Sequence, residues 1–487
     1  MDERHAMDRV DRRTFIGASG AAVGLSAAAF GDSPDHTGTD TSWMPENTRS
    51  SLEKNVADLV ARTPLMDTHE HLPPEKDRVA DADNPDADHA PDFSIFFTHY
   101  AGSDLQVAGM PEEDYRRLMS RKLSPGEKWR LVKPWYDRCR NTGYLLCARE
   151  SLRALHGETD LRDDNIEQIS ERVKQDIRPG FYRRVLRDIA GIEHAQVNCL
   201  KSGTFRESEP ASDLLSFDLS TVSLASSVSM KTLERCAGGP VHTLQDAHAA
   251  IDRAFERFGP RAIAMKDQSA YNRRLLYEEV SDADAAPLFE RFARNQQSLS
   301  PTEREALQNN LFRRCLRRAE DYRLPVKLHT GYYAGHKHMP LERVRHNFTD
   351  LCRIIAEFPG VNFVLMHIGY PYQHELTALC KHYPNVYADM CWAWIIDPVS
   401  GAHFMKTFLT AAPACKLLSF GGDYLYVELV PGHARIARRG ITRAITELVL
   451  SGWLAESDVS ELVERVMRGN AHELFDLDRV LRNASGA

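Results

Sequence analysis

The chain has 487 residues, 43% of them hydrophobic and 27% charged, with a formal net charge of −8; that length suits one large domain or two ordinary ones. The mildly acidic balance gives no electrostatic footprint for nucleic acid, and past the first thirty residues no apolar run is long enough to span a bilayer. The nine cysteines are odd in number and lack a CxxC, so they offer neither a zinc-finger spacing nor a disulfide framework; they read as buried thiols, with Cys391 alone placed to line a pocket.

The N-terminus stands apart. DRVDRRTFIGASGAAVGLSAAAFG sets Arg12-Arg13 before Thr-Phe-Ile and a small, weakly hydrophobic segment ending in AAA. That is the layout of a twin-arginine export signal over residues 1–30, with a helical tail as the plain alternative. It implies a periplasmic or otherwise exported protein, the Tat export machinery as a partner, and no membrane span in the mature form. The Pro/Asp/Thr-rich stretch 31–50 reads as a linker, leaving 51–484 as the folded body.

In that body, short apolar, β-branched runs alternate with longer helical patterns, the signature of a parallel sheet. The strand-like runs are 65–71, 195–200, 219–226, 262–267, 325–330, 362–368, 385–392 and 416–423, with helices such as DLCRIIAEF (350–358) and ELTALCKHY (375–383) between them. Eight such runs predict an α/β fold of the TIM-type (β/α)8 barrel class, with active residues at strand C-terminal ends. The span 72–194 is too long for an ordinary connection and reads as a mostly helical insertion capping the barrel mouth. Within it, PPEKDRVADADNPDADHAPD (73–92) predicts a mobile acidic loop. The basic run RRCLRR (313–318) reads as the solvated face of a helix.

The first strand carries LMDTHEHL. With twenty histidines in the chain, roughly one H-x-H arises by chance on composition alone, and a second pair, His336 and His338, is present. Position decides between the two. His69 and His71 end a strand, where an i, i+2 pair points both imidazoles to one face. Lys266, His329, His367 and Asp423 fall at or near the ends of the fourth, fifth, sixth and eighth strands. His336 and His338 lie past the fifth strand in a Gly-rich loop and read as rim residues. Histidine nitrogens and a carboxylate gathered at one barrel mouth are what a divalent ion needs to bind water and substrate together. Tyr271, Tyr332, Trp392, Trp394 and Asp397 are candidate pocket walls, with core packing an equal alternative for each.

DTHEHL (67–72), MKDQSAY (265–271), KLHTGYY (327–333), LMHIGYP (365–371), SFGGDY (419–424) and RGNAHELFDL (468–477) together resemble the amidohydrolase superfamily, in particular its amidohydrolase-related (amidohydrolase 2) group, over about 48–480. The resemblance implies a barrel holding one or two divalent ions, most commonly zinc, with His69, His71, His329 and Asp423 as ligands. In two-metal members a carbamylated fourth-strand lysine and a sixth-strand histidine complete the second site, the places of Lys266 and His367; one ion is favoured here. The insertion and DMCWAWIID (389–397) are similar to uronate isomerases, yet no arginine follows Asp423 until Arg435, where those enzymes hold the sugar carboxylate.

The expected activity is metal-assisted hydrolysis of a small-molecule substrate, an amide, lactam, lactone or related compound. A metal would activate the attacking water, Asp423 would shuttle its proton and His367, if not a ligand, would donate to the developing oxyanion. The alternatives are a sugar-acid aldose–ketose isomerase using the same Asp423 and, outside enzymes, a periplasmic small-molecule binding protein. A homo-oligomer is compatible with the sequence.

Overall fold

The computed structural model describes residues 51–485 except 85, 86, 88, 201, 202, 337 and 338; the twin-arginine segment (1–30), the linker (31–50) and His338 lie outside the described residues. Among the described residues eight parallel strands follow one another: β1 (Leu65–Glu70), β2 (Ile192–Val197), β3 (Leu215–Phe217 and Leu219–Ser220, broken at Asp218), β4 (Met265–Asp267), β5 (Val326–Leu328), β6 (Phe363–Leu365), β7 (Val386–Asp389) and β8 (Leu417–Leu418). Each pairs with the next in sequence, from Leu65 beside Ile192 round to Ala388 beside Leu417. The circle is completed by main-chain bonds between β1 and the residues after β8: Thr68 N donates to Phe420 O at 3.0 Å, Asp423 N to His69 O at 2.8 Å and His71 N to Tyr424 O at 2.9 Å. The architecture is a TIM-type (β/α)8 barrel.

All six residues of β1 are buried. A parallel sheet covered by helices leaves its strands no wet face, so they read as continuous apolar runs rather than alternating ones. The barrel floor is an apolar cluster of Met66, Val364 and Leu418 with Phe475, Leu477 and Val480. These last come from the helix Asn470–Phe475, which lies within RGNAHELFDL, and the helix Leu477–Ser485, which begins at its last residue.

Two strands differ from the sequence reading. The second runs 192–197, three residues earlier than expected, and the third 215–220, while Val222–Ser226 winds into a π-helical turn. The sequence VSLAS carries strand-like side chains, but Ala225 N and Leu224 N bond back to Thr221 O, so local turn bonding wins over β-propensity. The stretch 73–92, expected as a mobile loop, contains the helix Glu75–Asp83, pinned by the buried Arg78, which donates to Glu428 Oε1 at 2.6 Å. The run RRCLRR is not one solvated face: Arg313, Cys315 and Leu316 are buried in the helix Pro301–Asp321, and Arg313 pairs with Glu357 at 2.7 Å.

The insertion is helical as expected. Ser124, Pro125 and Glu127 make a capping box with proline in the first turn of the helix Pro125–Cys139. Thr142 caps Gly143–His156, which ends at Gly157 with φ +74°. The insertion reaches the mouth through Tyr100, whose hydroxyl donates to Asp423 O at 2.7 Å. Tyr100 and Tyr144 both stack on Trp392, with centroids 4.7 and 6.3 Å away.

Candidate metal centre

DTHEH and FGGDY are interlocked by their own acids and glycines. Asp67 Oδ1 accepts from His69 N and Gly422 N, each at 3.1 Å, and Glu70 Oε2 accepts from Tyr424 N at 2.7 Å. A Cβ at Gly422 would overlap the Glu70 carboxylate, and one at Gly421 would press on Cys391 and Thr68. The two glycines therefore let β8 approach β1 closely enough to present Asp423 to the histidines. Asp423 itself holds φ +64°, and His99, His367 and Trp392 share positive φ at the same mouth. Backbone strain of this kind persists where the surroundings over-determine it, typically at functional sites.

The side chains of His69, His71 and Asp423 converge. His69 Nε2 and His71 Nε2 stand 3.3 Å apart, and Asp423 Oδ1 lies 3.4 Å from the first and 3.3 Å from the second. All three are buried. His71 Nδ1 is 2.8 Å from Asn198 O; a carbonyl only accepts, so Nδ1 carries a proton, and the tautomer with that single ring proton leaves Nε2 as a lone pair. The Gln268 amide, 3.4 Å from that same Nε2, fits this assignment. Burial would raise the Asp423 carboxyl, but the adjoining His69 and His71 side chains draw it well below the usual carboxylate range. Burial, then the nearby Lys266, lowers the His69 imidazole. A carboxylate oxygen thus faces the His71 Nε2 acceptor across 3.3 Å, an arrangement that a cation at its centre would satisfy. Edges of this length are those of ligands around a tetrahedral ion with bonds of about 2.0–2.1 Å, so the donor set fits a divalent metal.

His329 and His367 are arranged differently. His329 Nε2 faces Tyr332 O at 2.9 Å, His367 Nδ1 faces Cys391 O at 3.0 Å, and the remaining nitrogens, His329 Nδ1 and His367 Nε2, face each other at 2.9 Å. Both imidazoles are pulled down, His367 to about 3, by burial above all. His367 shares with Cys391 and Asp423 a second buried group of ligand-type atoms. The expected role of His367 as oxyanion donor needs correction: its Nδ1 proton is committed to Cys391 O, which leaves Nε2 an acceptor.

Lys266 is buried, its Nζ donating to Met366 Sδ at 2.8 Å, and it forms no ion pair among the described residues; burial lowers its ammonium. Tyr271 lies 4.5 Å from the His329 ring and Tyr332 6.0 Å from Trp392, both partly open. Trp392 crosses His367 edge-on at 5.3 Å. Two expected wall residues serve the scaffold instead. Trp394 Nε1 donates to Ser419 O at 2.8 Å while its ring fills the space beside Gly401 and Gly440. Asp397 caps the helix Pro398–Ala411 by accepting from Val399 N and Ser400 N.

Sequence reasoning missed Gln268, Tyr100, His99 and Asn198. Gln268 stands two residues past Lys266 and was visible as a polar residue at a strand end; the others come from the insertion and β2, whose approach to the mouth no local pattern records. A cavity of about 480 Å³ lined by Ser227, Asn272, Arg273 and Arg304 includes none of the converging residues.

The amidohydrolase family model matches residues 228–477. The chain belongs to the amidohydrolase family. A curated relative of this amidohydrolase, protein fluG of Emericella nidulans, is 24% identical over 264 residues, which are 50% of this chain and only 30% of fluG. Among solved structures, uronate isomerase from Thermotoga maritima superposes with a TM-score of 0.72 at 17% identity, covering 91% of this chain and 100% of that one. A candidate metal-dependent hydrolase from Lactobacillus casei gives 0.61 at 16% identity, covering 88% and 99%. The structural likenesses speak to fold: the barrel and its insertion form one shared architecture.

Proposed function

We propose that this amidohydrolase holds one divalent cation, zinc by the character of its donors, among His69, His71 and Asp423 and hydrolyses a small amide, lactam, lactone or related substrate. One observation carries the reading: three ligand-type atoms within 3.4 Å of one another, with the His71 lone pair directed at the Asp423 carboxylate. A cation bound there supplies Lewis acidity, polarising the scissile carbonyl and bringing the pKa of the attacking water toward neutrality. Asp423, ionised and hydrogen-bonded through its main chain to His69 and Tyr100, takes the proton from the water and delivers it to the leaving group. The Gln268 amide, aimed at His71, is the donor available to a developing oxyanion. Tyr271 and Tyr332 wall the substrate, and the Tyr100–Trp392–Tyr144 stack keeps bulk water from the inner face.

The test is metal analysis of the purified protein with an assay of amides, lactams and lactones beside sugar acids. Stoichiometric metal and metal-dependent hydrolysis are expected; a protein that neither binds metal nor shows metal-dependent turnover would overturn the reading. The sugar-acid isomerase is favoured by one observation, that the likeness to the Thermotoga enzyme covers 91% of this chain and so runs through the insertion. Against it, Tyr424, Leu425 and Tyr426 follow Asp423, and Arg435 turns to Glu150 at 3.0 Å. We further read residues 1–30 as directing twin-arginine export; replacing Arg12 and Arg13 by Lys is expected to retain the protein in the cytoplasm on fractionation.

A further inference from the structure

Asp218 sits where β3 is broken, between Phe217 and Leu219. Its backbone stays in the barrel wall, with Asp218 N donating to Val197 O at 3.0 Å and Leu219 N to Ala264 O at 2.8 Å. The side chain is fully buried and is held by Lys327, a fully buried residue of β5. Lys327 Nζ donates to Asp218 Oδ1 at 2.8 Å, to Asp218 Oδ2 at 3.1 Å and to Thr68 O at 2.7 Å. Those three bonds use all three ammonium protons. One cation thus ties the carboxylate to the main chain of the residue that precedes His69.

The carboxylate faces that histidine. Asp218 Oδ2 is 3.7 Å from His69 Nδ1, on the ring edge opposite Asp423, and Nδ1 is buried without a hydrogen-bond partner. For His69 Nε2 to offer a lone pair to a cation, the ring proton must sit on Nδ1, and a buried N–H needs an acceptor. His71 has its acceptor in Asn198 O; the only carboxylate within 4 Å of His69 Nδ1 among the described residues is Asp218. A carboxylate behind a metal-bound imidazole fixes its tautomer and orientation and raises its basicity.

We infer that Asp218, itself anchored by Lys327, is a positioning residue that accepts the Nδ1 proton of His69 and so fixes His69 Nε2 as a metal donor. Asp218 is separated from the cation position by the imidazole and touches neither substrate nor ion. Lys327 sets an opposite charge 2.8 Å from that buried carboxylate and anchors it on the side away from His69 Nε2.

This inference rests on the proposed metal triad, and the experiment separates the two. Metal affinity is read by chelator competition, with cobalt absorption as a second readout of coordination, on the full chain. Asp218→Asn is expected to weaken metal binding by about 10- to 100-fold and to alter the cobalt spectrum, while the stoichiometry at saturation and the far-UV circular dichroism hold. The paired variant Asp218→Asn/Lys327→Met removes both charges and leaves neither stranded, and is expected to show the same loss should the single variant fold poorly. Folded variants with wild-type metal affinity and an unchanged cobalt spectrum overturn the positioning role and leave the triad standing. A wild-type protein without metal affinity overturns the triad itself.

Discussion

The β1/β8 side and the β5/β6 side of the same barrel mouth both present buried histidines at strand ends, yet their ring nitrogens face different partners. On the first, His69, His71 and Asp423 turn acceptor atoms toward one point 3.3–3.4 Å from edge to edge. On the second, His329 and His367 turn their outer nitrogens to the carbonyls of Tyr332 and Cys391, which leaves their inner nitrogens as two acceptors facing each other at 2.9 Å. On both sides an acceptor at the second nitrogen decides which nitrogen is free of a proton; the difference is that on the first the Asp423 carboxylate stands within 3.4 Å of both histidines.

The largest expected effect tests this contrast directly. Asp423→Asn should lower kcat by about 10²–10⁴-fold, and His71→Gln should also reduce bound metal, measured by elemental analysis. His367→Gln should retain the metal; its loss on that replacement would merge the two sides into one site.

Next in size is a control just after β7, where Trp392 faces the site and Trp394 the scaffold. Trp394→Ala should destabilise the fold by about 3–5 kcal/mol in thermal or denaturant unfolding. Its activity per folded molecule should stay near wild type, and a selective loss of kcat would return Trp394 to the pocket.

His194 on β2 is a buried histidine remote from the metal, bonded to Ser216 Oγ at 2.9 Å, and burial pulls it down to about 4. Its ordinary value is near 6.5, so the unfolded state takes the proton first. The stability is fully present above that value and is lost as pH falls through about 4, by about 3 kcal/mol in all. His194→Gln should flatten unfolding free energy against pH across that window, with equal slopes in mutant and wild type counting against it.

The smallest effect concerns the insertion. Tyr100→Phe removes the bond to Asp423 O and should cost about 0.5–1.5 kcal/mol of stability with a modest drop in kcat. A drop as large as that of Asp423→Asn would instead make Tyr100 a catalytic residue.

The barrel was legible where local chemistry is strong. The helices near 350–358 and 375–383 and the strands carrying His329 and His367 could be read because an apolar run ending in histidine and glycine leaves little choice. The strands at 192–197 and 215–220 were displaced because VSLAS and QVNCL look like strand while their partners lie far along the chain. The helix Glu75–Asp83 was hidden because its anchor, Glu428, is 350 residues away from Arg78. Trp394 and Asp397 shared a motif with Trp392, and nothing local distinguishes a ring facing a pocket from one packed on Gly440.

The sequence by itself determined which donors the mouth has: His69, His71, His329, His367 and Asp423 in barrel order, with the glycines that let Asp423 approach. Tertiary structure alone decided which of them converge. Imidazole tautomers are chosen by acceptors such as Asn198 O and Cys391 O, which lie far from their histidines along the chain.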